Sequence, residues 1–420
     1  MSPKCPAGHV ACRALALVVA LLASASAAAA ERPLEWYVKQ APRLPKPKGR
    51  VVAVSNEAQL QAAVRRCRSR TTIAVKPGTY KLTNTLHFAG PARHVAIRGT
   101  SGDPRDVVLV GRGMANKSYG NVPHGILVSN VQDILIADLT VRDVWFHPIS
   151  FQGHAGCQRP RVYHCRLINA GEQFIKSNPR KDGSGVDGGR VEYTVMEYPT
   201  TARHWYTNGV DVLGGRGWVV RHCVFRNIRS PKGHRMAGPA VLMWRGTSDS
   251  VCEANLFLNC QFGIAFGLSN GPKPDHVGGI IRNNMFHRSR QQSGDVAIAV
   301  WNSPRTQVLH NTVVLSGTYP NAIEYRFTGS SGCTIAHNLT DSRIARRDGA
   351  QGTLTGSVTR AARSWFVDVE KGDLHLTTAA RGVIDRAPPL KAVARDFDGQ
   401  SRRAARPRDV GADEVLAARR

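Results

Sequence analysis

Apolar positions along this chain recur at intervals of 27–32 residues, each time in the same two short patterns. The first surrounds Val162-Tyr163-His164-Cys165-Arg166-Leu167. With Cys165 as reference, the equivalent positions are Asp138, Thr194, Cys223, Asn255, Asn284, Asn311 and Asn338. Three residues before the reference stand Leu135, Val162, Val191, Val220, Cys252, Ile281, Val308 and Ile335; two after it stand Thr140, Leu167, Met196, Phe225, Phe257, Phe286, Val313 and Thr340. The second pattern begins as Gly125-Ile-Leu-Val, Pro148-Ile-Ser-Phe, Phe174-Ile-Lys-Ser and Gly209-Val-Asp-Val, and runs on to Ala322-Ile-Glu-Tyr. Runs this short, β-branched or aromatic and ended by Gly, Asn, Ser or Pro, predict strands. A single repeat of two strands cannot bury its own apolar side, so the repeats must stack into a solenoid with one continuous core. Alternation along the second strand sends its third residue outward, which places Leu127, Ser150, Lys176, Asp211, Leu242, Ala265, Ala299 and Glu324 in one surface column. Parallel crossovers are right-handed, so the winding is expected to be right-handed.

The flanking segments read differently. Residues 31–50 are rich in Pro and Lys and predict an extended lead-in. Asn56 can cap a short helix over 57–67 whose apolar face is Leu60, Ala63, Val64 and Cys67, suited to covering the open end of a strand stack. The tail segments Asp373-Leu-His-Leu, Asp396-Phe-Asp-Gly-Gln and Asp409-Val-Gly-Ala-Asp-Glu are expected to form a closing coil of one domain spanning 51–415. Asp396 and Asp398 then serve a turn, with cation binding as the alternative. Residues 1–30 have the form of a secretory signal: Lys4 and Arg13, an apolar run over 14–23, then a small-residue tract. No later stretch reaches about 18 uninterrupted apolar residues. A secreted or periplasmic protein is expected, without membrane contact after cleavage. Seven cysteines follow residue 30 with no C-x-x-C spacing, which argues against a zinc-finger site. Cys165 and Cys223 read as small buried hydrophobes, and Cys252 with Cys260 remains an alternative pair.

The Pro-Gly-Thr-Tyr run at 77–80, the repeat length and the stacked Asn255, Asn284, Asn311 and Asn338 resemble the right-handed parallel β-helix proteins of the pectate-lyase-like fold. Asparagines in register can hydrogen-bond from coil to coil, whereas an isolated buried amide is costly. The resemblance implies an all-β solenoid with a short N-terminal capping helix. That architecture hosts lyases, hydrolases, epimerases and non-catalytic binders, so function has to be argued from the site.

The formal net charge is +27, and +25 without the two basic residues of the leader, a field that attracts polyanions. For an exported chain lacking nucleic-acid-binding motifs, the expected partner is acidic polysaccharide, met by a monomer. Three connections are long, 177–190, 197–208 and 226–238, and they flank the coils carrying Lys176, Asp211 and Leu242. They hold Arg180, Asp182, Asp187, Arg203, His204, Trp205, Tyr206, His234 and Arg235. Glu172, Phe174 and Lys176 are spaced to share one strand face, with Asp211 about 4.8 Å away on the next coil. β-Elimination from a uronate needs a base, a cation facing the carboxylate and a proton donor for the leaving oxygen. Lys176 is the candidate base, Arg235 or Arg245 the cation, and Tyr206 or His204 the donor. A calcium ion held by Glu172 and Asp211 is the alternative to the arginine. Trp244 and Trp301 are expected as exposed sugar-stacking indoles, with His234 and Asp211 lining the same groove.

The run Glu172-Gln-Phe-Ile-Lys176-Ser177 loosely resembles the chondroitinase B and alginate lyase family. It implies Lys176 as base and Glu172 near a calcium ligand; where that family places an arginine on the following coil, this chain has Asp211. The competing expectations are a glycoside hydrolase using Asp211 with Asp187, and a binder whose basic groove only holds polymer. His147, His154 and His164 carry no ligand spacing and read as ordinary histidines.

Overall fold

The computed structural model describes residues 33–402 and 406–415; the leader expected over 1–30 lies outside the described residues. Three parallel sheets of twelve, ten and ten strands run the length of the molecule, and successive strands of the chain visit them in turn. The chain is therefore a right-handed parallel β-helix. Each coil of the regular region contributes one strand per sheet, as in Arg161–Tyr163, Arg166–Ala170 and Ile175–Asn178. The second pattern of the sequence is in register throughout: Ile149 pairs with Ile175, Ile175 with Val210, Val210 with Val241 and onward to Ile323.

The first pattern needs one correction. Leu135 pairs with Arg161 and Val141 with Leu167, so Asp138 lies opposite His164, and the inward position below Cys165 belongs to Leu139. Leu139 is fully buried in the core, whereas Asp138 carries the turn and binds His164 Nδ1 at 2.9 Å and Arg98 Nε at 3.1 Å. Residues at this corner, His164, Tyr193, His222, Ala254, Asn283, His310 and His337, all take φ between 50° and 55°. One left-handed residue turns the chain sharply from the first sheet to the second, and stacking imposes it on side chains that seldom adopt it.

Just after that corner the asparagines form the ladder. Asn255 Nδ2 donates to Asn284 Oδ1 at 2.9 Å, Asn284 to Asn311 at 2.9 Å and Asn311 to Asn338 at 3.0 Å. Each Oδ1 also accepts the backbone N–H of the coil before it. All four side chains are buried. Beside them Phe225, Phe257 and Phe286 stack nearly parallel at 4.7 and 4.4 Å. All seven described cysteines are free, so Cys252 and Cys260 do not pair; burial raises both thiols.

At the N-terminal end, helix α1 (Glu57–Arg65) is capped by Asn56, whose Oδ1 accepts from the Gln59 N–H, and it buries Leu60 and Val64 against the first strands. The tail departs from expectation. Instead of adding a closing coil, it folds back along the outer face of the second sheet. Phe366, Leu374, Leu376, Val383, Phe397 and Val410 there cover Val195, Val224, Leu256, Met285 and Leu339, and Leu34 of the lead-in joins them. Outward apolar residues on five coils explain this: left bare, they would form a continuous hydrophobic strip.

The first sheet's outer face carries charge instead. Glu192, with a fully buried side chain, meets Arg161 at 2.6 Å, Arg190 at 3.1 Å and Arg221 at 2.6 Å. Burial pushes this carboxyl up, and the three guanidiniums outweigh it, bringing it from 4.5 down to about 2. A depressed carboxylate stabilises the fold above its unfolded value and loses that contribution as pH falls toward its folded one. Between pH 4.5 and about 2, wild type should therefore lose on the order of 3 kcal/mol that Glu192→Gln never had, a difference read from urea titrations across that range.

Candidate active site on the third sheet

The outward column of the third sheet is in register but is not a surface. Ser150, Lys176, Asp211, Leu242, Ala265, Ala299 and Glu324 are all buried, and only Leu127 is half-exposed. Side chains from neighbouring turns close over it. Leu242, Ala265 and Ala299 lie under Phe262 and Val296, flanked by half-buried Trp244, Trp301 and Tyr319. At the far end Glu324 is held by Arg347 at 3.0 Å and Asn321 at 2.6 Å.

Lys176 and Asp211 are adjacent rungs, and Lys176 Nζ donates to Asp211 Oδ2 at 2.5 Å with side-chain exposures of 9% and 2%. Trp244 Nε1 donates to the other oxygen, Oδ1, at 2.9 Å. This geometry corrects two expectations. The Lys176 amine is closed into a buried ion pair with Asp211 instead of facing an open groove. Both Asp211 oxygens already accept from donors, so the pair Glu172 and Asp211 does not fit a calcium ion, which would have to displace the ammonium and the indole. Trp244 is also not an open stacking platform, because it is half-buried with the Arg245 guanidinium 4.7 Å over its ring. Trp301 likewise packs against Phe262 and Phe327 with Arg326 over its ring.

Phe174 does not share the face of Lys176. The strand starts at Ile175, and Phe174 is a corner residue buried in the main core 4.8 Å from the Tyr198 ring. Glu172, before it, turns outward. Its carboxylate lies 3.8 Å from Arg203 and 3.9 Å from His147 Nε2. Burial pushes Glu172 up against the pull of Arg203 and Lys176. Burial also drives His147 well below its ordinary value, with His124 and Lys176 adding to the effect. His147 stacks on His124 at 5.1 Å, so it belongs to the cluster.

Two of the three long connections converge here. Both run from the second sheet to the third, and they meet at the N-terminal edge of the third sheet. Arg203 lies 3.7 Å over the Trp145 ring and places Nη2 3.0 Å from His204 Nε2. The Tyr206 amide is 3.1 Å from His204 Nδ1, and the two rings stack at 6.4 Å. Trp205 meets Tyr206 edge-on at 5.7 Å, and Arg235 of the other connection reaches over Trp205 at 5.6 Å. Trp205, Tyr206, His234 and Arg235 are exposed. The Tyr206 N–H donates to His204 Nδ1, and the Arg203 guanidinium beside Nε2 disfavours a positive charge on the ring; burial first, then Arg203 and His234, push it below the usual histidine value.

The third connection, 177–190, leaves the opposite edge of the third sheet. Arg180 there donates to the Gly153 carbonyl, and Asp187 Oδ1 accepts from the Arg216 N–H. Asp187 is therefore a turn residue, and the hydrolase pair Asp187 with Asp211 is not assembled. Arg245 is exposed and stacks over Trp244 at 4.7 Å, on the coil after Asp211. Sequence reasoning missed Trp145 and His147 as site members. The available signal was positional: residues 145–147 occupy the same second-to-third corner, one coil below Glu172, as shown by the Glu172 N–H donating to the Phe146 carbonyl.

No protein-family model matches this chain, and no curated protein matches it. Solved structures with similar folds include a mutant of the PL6 family alginate lyase AlyGC, at 11% identity and a TM-score of 0.44, covering 79% of this chain and 56% of that one. The tailspike protein of Escherichia coli bacteriophage HK620, in complex with a pentasaccharide, is 13% identical with a TM-score of 0.47, covering 69% and 53%. Pectate lyase Pel9A is 13% identical with a TM-score of 0.44, covering 87% and 96%. This chain thus spans about half the length of the first two. These are likenesses of architecture, and the sites are not equated. Among the described residues no helix is long and apolar enough to cross a membrane.

Proposed function

We propose that the protein acts on acidic, uronate-containing polysaccharide by β-elimination at the N-terminal edge of the third sheet. The observation that supports this reading is the convergence of half-buried His204 with exposed Trp205, Tyr206 and Arg235 from two connections into one group beside the third sheet. Arg235 faces the uronate carboxylate and lowers the cost of charge developing on it. His204 takes the proton α to that carboxylate at Nε2, which requires the Arg203 guanidinium now 3.0 Å from that nitrogen to turn toward the substrate. The C–O bond at the β position breaks as the C=C bond forms, and the Tyr206 hydroxyl gives its proton to the departing oxygen. Trp205 offers a ring face to the sugar, and Arg245 extends the basic surface along the sheet. Lys176 and Asp211 remain a buried ion pair near Glu172, and no metal enters a step.

A panel of uronate polysaccharides, followed by ultraviolet absorbance of the unsaturated product, tests the reading. Tyr206→Phe is expected to lower turnover by about 10²–10⁴-fold with little change in unfolding midpoint. New reducing ends without absorbance, or retention of polymer without depolymerisation, would overturn it.

A further inference from the structure

The tail carries a second cluster, remote in sequence from the loops above and on a different sheet. His375 Nδ1 is 2.6 Å from Asp373 Oδ1, and His375 Nε2 is 3.0 Å from Asp398 Oδ2. The donor atoms of His375, Asp398 and Asp413 all lie within 4.8 Å of one another. A cavity of about 110 Å³ opens beside them, lined by Asp373, His375, Phe397, Asp398 and Lys39. Asp413 is 3% exposed and Asp396 is 2% exposed. Asp396 Oδ2 is buried without a hydrogen-bond partner, and Asp396 lies close enough to Asp398 and Asp413 to interact with them electrostatically.

Four carboxylates gathered in a chain of net charge +27 need a local counter-charge. Lys39 and Arg402 supply part of it, but the Lys39 ammonium is committed to the Phe397 carbonyl and sits 3.5 Å over the Phe397 ring, and Arg402 is bound to Glu414 at 2.7 Å. His375 has a carboxylate at each ring nitrogen, the geometry of an imidazolium whose Nε2 proton a metal ion would replace. A histidine that binds a metal through one nitrogen typically donates the other N–H to a carboxylate, which fixes the ring and its tautomer. Asp373 occupies that position at Nδ1, leaving Nε2 facing Asp398 and Asp413. Two ligands on a tetrahedral ion with bonds of about 2.0–2.2 Å stand about 3.3 Å apart. The pair His375 Nε2 and Asp398 Oδ2 is already near that spacing, and Asp413 offers a ligand atom within 4.8 Å of both while its Oδ2 accepts from the Leu376 N–H at 2.7 Å.

We propose that His375, Asp398 and Asp413 bind one divalent transition-metal ion, with Asp373 orienting His375 and Asp396 as an outer carboxylate. An imidazole among carboxylates favours zinc over calcium, which takes oxygen ligands alone. The ion would clasp the tail strand Asp373–Leu376 to the turns at 396–400 and 409–414 on the back of the second sheet.

The test is calorimetric titration of the chelator-treated full chain with Zn²⁺ alone, and separately with Ca²⁺ alone. One Zn²⁺ per chain is expected, with a rise in Tm of about 4 °C at 100-fold excess over Kd. Asp398→Asn, at a partly exposed turn, and His375→Gln should each weaken binding at least tenfold while the metal-free protein still unfolds cooperatively. The proposal is overturned by absence of Zn²⁺ uptake, which would leave a doubly protonated His375 as the clasp. Uptake unchanged in both variants, or uptake of Ca²⁺ in place of Zn²⁺, would overturn it equally.

Discussion

Lys176→Met is expected to destabilise the protein by about 3–5 kcal/mol, while Lys176→Met combined with Asp211→Leu restores most of that loss. The single change leaves a carboxylate that is 1% exposed with only the Trp244 N–H for company. The double change replaces a buried ion pair by apolar groups, and Leu at 211 would lie in register with Leu242, extending the apolar patch already formed there. Urea unfolding of the two variants and wild type reads the coupling directly. A single variant within about 1 kcal/mol of wild type would show that the pair carries little of the fold. The same variants separate support from chemistry: a stable double variant that still forms unsaturated product removes Lys176 from the reaction, and a stable but inactive one returns it.

Asn284→Leu should cost about 4 kcal/mol, more than a shape-matched substitution in an apolar core, where volume-conserving changes stay under about 1.5 kcal/mol. Asn284 Oδ1 accepts from both the backbone and side chain of Asn255, and its Nδ2 donates to the Cys252 carbonyl and to Asn311. Leucine leaves the Asn255 N–H and the Cys252 carbonyl buried without those partners, and breaks a chain of amides that polarise one another. Chemical denaturation measures the loss; a cost below about 1 kcal/mol would mean that water or a shifted backbone replaces the ladder.

The winding was legible because each strand repeats its chemistry at a nearly fixed interval, and the inward residues Ile175, Val210 and Val241 fall in register as the pattern requires. Register failed at Asp138, where a coil one residue shorter slid a turn residue into the inward column that Leu139 occupies. Two kinds of information were not in the periodicity. Which edge of the sheet a long connection leaves from depends on which corner it spans, so 177–190 was grouped with loops on the opposite edge. What covers an outward column depends on packing from other coils, so Lys176 and Asp211 were expected in water and are instead sealed. The site elements that could be read, His204, Tyr206 and Arg235, are those on insertions, where the repeat no longer dictates the residue.

Repeat proteins ordinarily lengthen by duplicating a unit, since each unit touches only its neighbours. Here the returning tail and the lead-in together lie across the units from Leu339 to Val195 like a strut of set length. Adding or deleting one turn of the spiral would shift every apolar contact beneath that strut by one rung, so the number of turns and the length of the returning segment can change only together.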